Sequence, residues 1–131
     1  MRIGLRYERH ALGTLGARYG PQLVPSPWLR YRERGAPWWR YAQPDGLLMD
    51  LHAGTICILE VKVRHTVAAH TQLRRLYEPL IRRIFSAPSW RFSCCEVVRS
   101  FDGRMPFPER YVLTDAPHTL RPGAFGLMLL R

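Results

Sequence analysis

The sequence predicts a single α/β domain with its elements in the order α-β-β-β-α-β. Three observations predict it. Residues 2–20 carry apolar side chains at helical spacing. Residues 47–63 form a hairpin pattern whose second strand is almost continuously apolar. A second helical pattern over residues 66–84 is followed by a strand pattern over 90–99. With 131 residues, 47% of them apolar and 23% charged, the chain has the length and composition of one core-forming domain. The core is expected over about residues 2–99, with a C-terminal extension over 100–131.

The first helix places Leu5, Leu12, Leu15 and Tyr19 on one stripe, and Gly20-Pro21 stops it. Glu8 lies on that stripe too. A carboxylate on a core-facing stripe is unusual. Either it serves a site, or the helix is rotated and Glu8 sits at its rim, favoured by the N-terminal dipole. Residues 21–37 hold four prolines and the run Trp28-Leu-Arg-Tyr-Arg-Glu-Arg34, a pattern of loop or edge structure. A short strand follows at Trp38-Trp39-Arg40-Tyr41. Interleaved arginines and aromatics can contact phosphates and bases. Aromatics in such a run more often belong to a core, and that is the expectation here.

Leu47–Leu51 and Thr55–Val63 are the hairpin strands, joined by a tight turn around Ala53-Gly54. The second, Thr-Ile-Cys-Ile-Leu-Glu-Val-Lys-Val, has the pattern of a central strand covered on both faces. Thr66 is placed to cap the next helix. Leu73, Leu76, Tyr77, Leu80 and Ile84 make its apolar stripe, and Arg74, Arg75, Arg82 and Arg83 give it a cationic face. Pro79 should kink or split it. Trp90–Arg99 follows as a strand with Cys94 and Cys95 on opposite faces, and two short strands are expected near Tyr111–Thr114 and Phe125–Leu130.

Twenty basic residues against ten acidic give a net charge of +10, which favours a polyanionic partner, most often nucleic acid. Nineteen of the twenty are arginine, so the single lysine, Lys62, either marks a position where arginine does not serve or survives by chance. Lysine is a compact point charge with a movable pKa; guanidinium stays protonated. No apolar run reaches the ~20 residues of a membrane span, and the N-terminus lacks a secretory apolar segment. Three cysteines make neither a disulfide framework nor a zinc spacing. A reducing, cytoplasmic setting is the expectation.

A turn centred on Ala53-Gly54 pairs positions that sum to 107, setting Asp45 opposite Lys62 and diagonal to Glu60. Glu60 and Lys62, two apart, share a face. Two acids and one amine then gather at one end of an apolar sheet. Carboxylate oxygens suit Mg²⁺, which takes one or two protein acids, and an ammonium beside the cation can orient water and offset charge on a phosphorane-like transition state. The bland alternative is an Asp–Lys–Glu surface ion-pair cluster.

Pro44-Asp45, then after fourteen residues Glu60-Val61-Lys62, resembles the PD-(D/E)xK motif of the restriction-endonuclease-like nuclease superfamily. The resemblance spans residues 1–98 by element order and about six residues by motif. It implies a mixed sheet flanked by helices. It also implies Asp45, Glu60 and the Val61 carbonyl as ligands of Mg²⁺ or Mn²⁺, with Lys62 as the catalytic lysine. Many members add a Glu from the first helix, which Glu8 matches. Gln72 and Tyr77 resemble a Gln/Tyr pair that some members carry after the lysine. Here four residues separate the pair, against three in that subfamily, so Gln72 is the position carried over.

The expected function is therefore a metal-dependent nuclease acting on phosphodiesters, most simply a DNA endonuclease. Arg74, Arg75, Arg82 and His70 would grip the backbone. His65 also flanks the start of the second helix. Two active sites are commonly needed to cut both strands, which fits a homodimer, and a targeting partner would supply specificity. The alternative is a non-catalytic basic nucleic-acid-binding subunit of a larger DNA-processing complex. A weaker alternative is a structural protein that meets an acidic partner.

Overall fold

The computed structural model describes residues 3–64, 66–100, 111–114 and 126–130. It is an α/β fold: a mixed six-stranded sheet between two helical layers. Helix α1 spans Ile3–Tyr19. Strands β1 (Leu23–Pro25), β4 (Gly46–Asp50), β5 (Thr55–Arg64), β6 (Arg91–Ser100), β7 (Tyr111–Thr114) and β8 (Gly126–Leu130) form the main sheet in the order β1-β4-β5-β6-β8-β7. Among the described strands, only β5 and β6 run parallel. Strands β2 (Leu29–Tyr31) and β3 (Arg40–Ala42) leave that sheet and pair as a separate ribbon. Segment 21–37, expected as loop or edge, thus contributes two short strands, and the strand expected at 38–41 pairs outside the main sheet. The two expected C-terminal strands are present as β7 and β8.

Strand β5 separates two cores, as its unbroken apolar sequence requires. Its odd-numbered residues Leu59 and Val61 pack with Cys95 and Val97 against Tyr7, Ala11 and Leu15 of α1. Its even-numbered Ile56 and Ile58 pack with Leu47 and Cys94 against Leu73, Tyr77 and Ile81. Cys94 and Cys95 accordingly face opposite layers. The buried stripe of α1 is Tyr7-Ala11-Leu15, and Leu5 is exposed. The helix is rotated from the expected stripe, and that rotation leaves Glu8 half-buried at its rim.

The connection from β5 to β6 is one helical rod with a change of pitch: α2 (Val67–Thr71), a π turn over Gln72–Tyr77, and α3 (Glu78–Ile84). The Thr66 hydroxyl accepts a hydrogen bond from the Ala69 N–H at 3.0 Å, capping α2 at a gain of about 1 kcal/mol. The buried residues Ala69, Leu73, Tyr77 and Ile81 recur every four residues. An α-helix rotates about 40° past a full turn in four residues, so such a stripe would swing off the sheet. The wider π turn rotates less per residue and holds it there. Pro79 was expected to kink or split the helix, and the rod is interrupted there: the π turn ends at Tyr77 and Pro79 lies in the first turn of α3. The widening takes up the clash that a proline ring makes with the preceding turn.

The aromatics Trp28, Trp38, Trp39 and Tyr41 were expected in the core and are exposed, at 69%, 63%, 47% and 61%. The inner face of the ribbon is already filled by Leu29, Tyr31 and Ala42, which pack on the core that holds Leu73 and Tyr77. Leu51, expected as the last residue of a strand, lies in the hairpin turn, and Ile84, expected on the helix's apolar stripe, lies at the helix end; both are exposed.

Candidate active site at the end of the central strands

The β4–β5 register differs from the expected one by two residues. Asp50 pairs with Thr55 and Leu47 with Ile58, so the pairing sum is 105. The turn residues are Leu51–Gly54. The Asp50 carboxylate accepts the Ala53 N–H at 2.9 Å, its carbonyl accepts the Gly54 N–H at 2.8 Å, and Gly54 takes φ 69°. This Asx-type closure centres a four-residue turn on His52-Ala53, one residue before the expected centre at Ala53-Gly54. A shift of two keeps every side chain on its face. Continued past Gly46↔Leu59, the register sets Asp45 beside Glu60 rather than beside Lys62.

Four hydrogen bonds hold the segment that carries Asp45. The Val61 N–H donates to Asp45 Oδ2 at 2.6 Å. The Ser26 N–H donates to the Asp45 carbonyl at 2.8 Å, and Gln43 Nε2 donates to the Ser26 carbonyl at 2.9 Å. The Tyr77 hydroxyl donates to the Gln43 carbonyl at 3.2 Å. Ser26, at φ 47°, occupies the left-handed region that a side chain rarely adopts. Strain of about 1–3 kcal/mol is retained where surrounding contacts dictate it, and both Ser26 backbone groups are engaged in holding Asp45.

Glu60 is 4% exposed, and its Oε2 is buried with no hydrogen-bond partner. Its Oε1 lies 3.6 Å from Lys62 Nζ, whose side chain is 40% exposed. Burial first, then the charge of Asp45, push Glu60 up to about 8 against the opposing pull of Lys62. Burial also raises Glu8, followed by the charge of Asp45 and a hydrogen bond with it; Lys62 again acts in the other direction. Three carboxylates and the one lysine therefore sense one another, although Glu8 comes from the opposite helical layer. Burial, then Glu60 and Asp45, push the Tyr77 hydroxyl up to about 12.

Gly46 brings Glu8 within reach. A Cβ there would stand 3.3 Å from Leu23 Cδ1 and Leu59 Cδ1, and 3.6 Å from Leu12 Cδ2. The missing side chain lets α1 settle on the sheet through Leu12, one turn after Glu8. Gly46→Val is expected to destabilise the fold by about 1–3 kcal/mol through overpacking. Urea unfolding checks this; an unchanged midpoint would mean that α1 does not need the close approach.

Asp45, Glu60 and Lys62 thus converge, Glu8 joins them, and the Val61 main chain supports Asp45. Tyr77 reaches the same region. Gln72 is exposed on the π turn, which places residue 77 near residue 72 much as position i+4 lies near i in an α-helix. Arg74 points inward. It pairs with Glu78 at 2.8 Å and lies 3.6 Å from Cys94 Sγ, so the cationic helix face consists of Arg75, Arg82 and Arg83. Arg82 pairs with Glu78 at 3.0 Å and stacks over Phe92 at 4.7 Å. Burial alone would raise Glu78, but the two arginines outweigh it and hold the carboxyl low. His70 is half-buried on α2. His65 lies outside the described residues.

One acid escaped the sequence reading. Glu96, fully buried, is the register partner of Glu60 on the parallel neighbour. Its signal is the same as that of Glu60: a carboxylate inside an apolar strand, Cys-Cys-Glu-Val-Val.

Among the described residues, no three His, Cys, Asp or Glu side chains stand at metal-ligating spacing. Mg²⁺ needs only one or two protein carboxylates and keeps several waters. Asp45 and Glu60, hard oxygen donors with one buried oxygen unbonded, fit such a cation. Among the described residues, no helix is long and apolar enough to cross a membrane. Compared with known proteins, the chain matches no family profile, no curated protein and no solved structure.

Proposed function

We propose that this chain is a Mg²⁺- or Mn²⁺-dependent nuclease with a restriction-endonuclease-like core, hydrolysing phosphodiester bonds, most simply in DNA. The observation that carries the reading is Glu60: a buried carboxylate with an unbonded oxygen, beside Asp45 and the only lysine of the chain. A buried acid without a full set of partners is costly, and a bound cation would complete it. Asp45 and Glu60 would hold that cation, with Glu8 as a further carboxylate nearby and the Val61 carbonyl next to both. The cation supplies Lewis-acid polarisation of a phosphoryl oxygen.

The remaining work falls to the side chains. Lys62, partly exposed at the mouth of the site, holds the attacking water and offsets charge that grows on the phosphoryl oxygens. Glu60 retains a proton until about pH 8 and must release it to become a ligand. The Tyr77 hydroxyl stays protonated and fixes the Gln43 carbonyl, which keeps Asp45 in place. The net charge of +10 supplies backbone attraction to DNA in a cytoplasmic setting.

A divalent-metal cleavage panel over linear, nicked, branched and single-stranded DNA tests this, with Asp45→Asn alongside. Cleavage should need the metal and should fall at least about 100-fold in the variant. Wild-type protein that cuts none of the substrates, or an Asp45→Asn protein that cuts normally, would remove the proposal. The alternative of a non-catalytic subunit draws on the arginine-rich surface alone, and predicts salt-sensitive DNA binding without hydrolysis.

A further inference from the structure

The β2–β3 ribbon has two faces of opposite character. Leu29 pairs with Ala42, and both turn inward to the core. Arg30 pairs with Tyr41, and both are exposed. Alternation along each strand extends that outer face to Trp28 and Arg32 on one side and Trp39 on the other. The Arg30 guanidinium stacks over the Trp39 ring at 4.2 Å, and Arg32 lies over the same ring at 5.0 Å. Three large aromatics and two arginines therefore share one open surface. Each such aromatic buries about 150–250 Å² when covered, and a patch of that size marks an interaction site.

The charge of the patch selects its partner. The run 28–42 holds four arginines and one glutamate, and that glutamate, Glu33, is paired to Arg40. A second copy of this face would bring like charges together. A duplex offers phosphates but keeps its base faces stacked on one another. Unpaired nucleotides offer both an anionic backbone and free base faces, and this surface supplies cations and rings side by side. Alternate side chains on a strand stand about 6.5–7 Å apart, the scale of one nucleotide in a stretched single strand.

We propose that the outer face of the β2–β3 ribbon is a platform for unpaired nucleotides, with bases stacked on Trp28, Trp39 and Tyr41 and phosphates met by Arg30 and Arg32. Binding here does not depend on catalysis. That the bound strand is also the one cut rests on the nuclease reading: Ala42 ends the ribbon three residues before Asp45, and Gln43 ties that junction to Ser26.

The test is anisotropy of a fluorescein-labelled fifteen-residue dT oligonucleotide, its rU counterpart and a duplex of equal length, all in EDTA so that no strand is cut. Intrinsic tryptophan quenching is read in parallel. At least one single strand should bind about tenfold tighter than duplex, with quenching, and the dT and rU arms show which sugar is preferred. Trp39→Ala combined with Tyr41→Ala should lose that preference and leave duplex binding within about twofold, with its melting temperature checked because both residues are exposed. Equal affinity for duplex and single strand would overturn the platform. So would a folded double variant that binds single strands like wild type, or quenching by phosphatidylserine vesicles but by no oligonucleotide. Single-strand binding without cleavage by any metal would leave this inference standing and remove the nuclease reading. Unimpaired cleavage and binding of single strands by the double variant would do the reverse.

Discussion

Lys62→Ala is expected to lower metal-dependent cleavage by about 10²–10³-fold, the usual effect of removing one preorganised charge from a phosphoryl or acyl transfer site. The lysine stands 3.6 Å from a buried carboxylate and keeps its tip partly in water, so on the nuclease reading it would stand between the acids and an incoming phosphate. The fold should survive the change, since the lysine tip is partly in water and Glu60, protonated below about pH 8, is not left as an unpaired buried charge. Lys62→Arg should fail to restore the rate. A planar fork cannot replace a point charge in the space beside Glu60, and the chain uses arginine at every other cationic position. Single-turnover cleavage with both variants, each checked by thermal melting, measures this. A rate within about threefold of wild type in Lys62→Ala would remove the lysine from the chemistry.

The second large effect is on stability. Glu60 has a folded pKa of about 8 against an ordinary value of 4.5, so the folded state binds its proton more tightly than the unfolded state. Its contribution to stability is fully present below about pH 4.5, declines as pH rises, and is lost through pH 8. In EDTA at pH 9, Glu60→Gln should therefore be more stable than wild type by on the order of 1–3 kcal/mol, with the two proteins drawing level near pH 5. Mg²⁺ should raise the wild-type melting temperature at pH 8–9, where the carboxylate is free to bind it, and have little effect at pH 6. The Gln variant should respond at neither pH. Cleavage by wild type should rise through the same window. A Gln variant less stable than wild type at pH 9 would show that Glu60 is already well satisfied without a cation.

The sequence made the layering legible because β5 is apolar on both faces while α1 and the 66–84 helix are apolar on one. It also located Asp45, Glu60 and Lys62 on one face, since a register error of two leaves faces unchanged. It missed the true pairing because the Asp50 side chain closes a turn centred one residue earlier than Gly54 alone suggests. It misplaced the ribbon aromatics because a period-two pattern does not say which face has a layer above it. Arg74 looked like part of a cationic surface; only the packed helix reveals that Glu78 and Cys94 lie on its side. Glu96 became visible as a neighbour of Glu60 only through the parallel pairing of strands more than thirty residues apart.

The π turn over Gln72–Tyr77 also makes this wall of the molecule tolerant of a one-residue change in chain length. Ala69 and Ile81 are twelve residues apart and lie on one buried stripe, whereas twelve residues of ordinary α-helix rotate about 120° past three full turns. Deleting one of the six residues leaves eleven, which rotate only about 20° past three turns as α-helix, so the turn would become ordinary helix with Ala69 and Ile81 both still seated. Homologues that preserve these seats are thus expected to differ by one residue in this turn more readily than elsewhere in the rod.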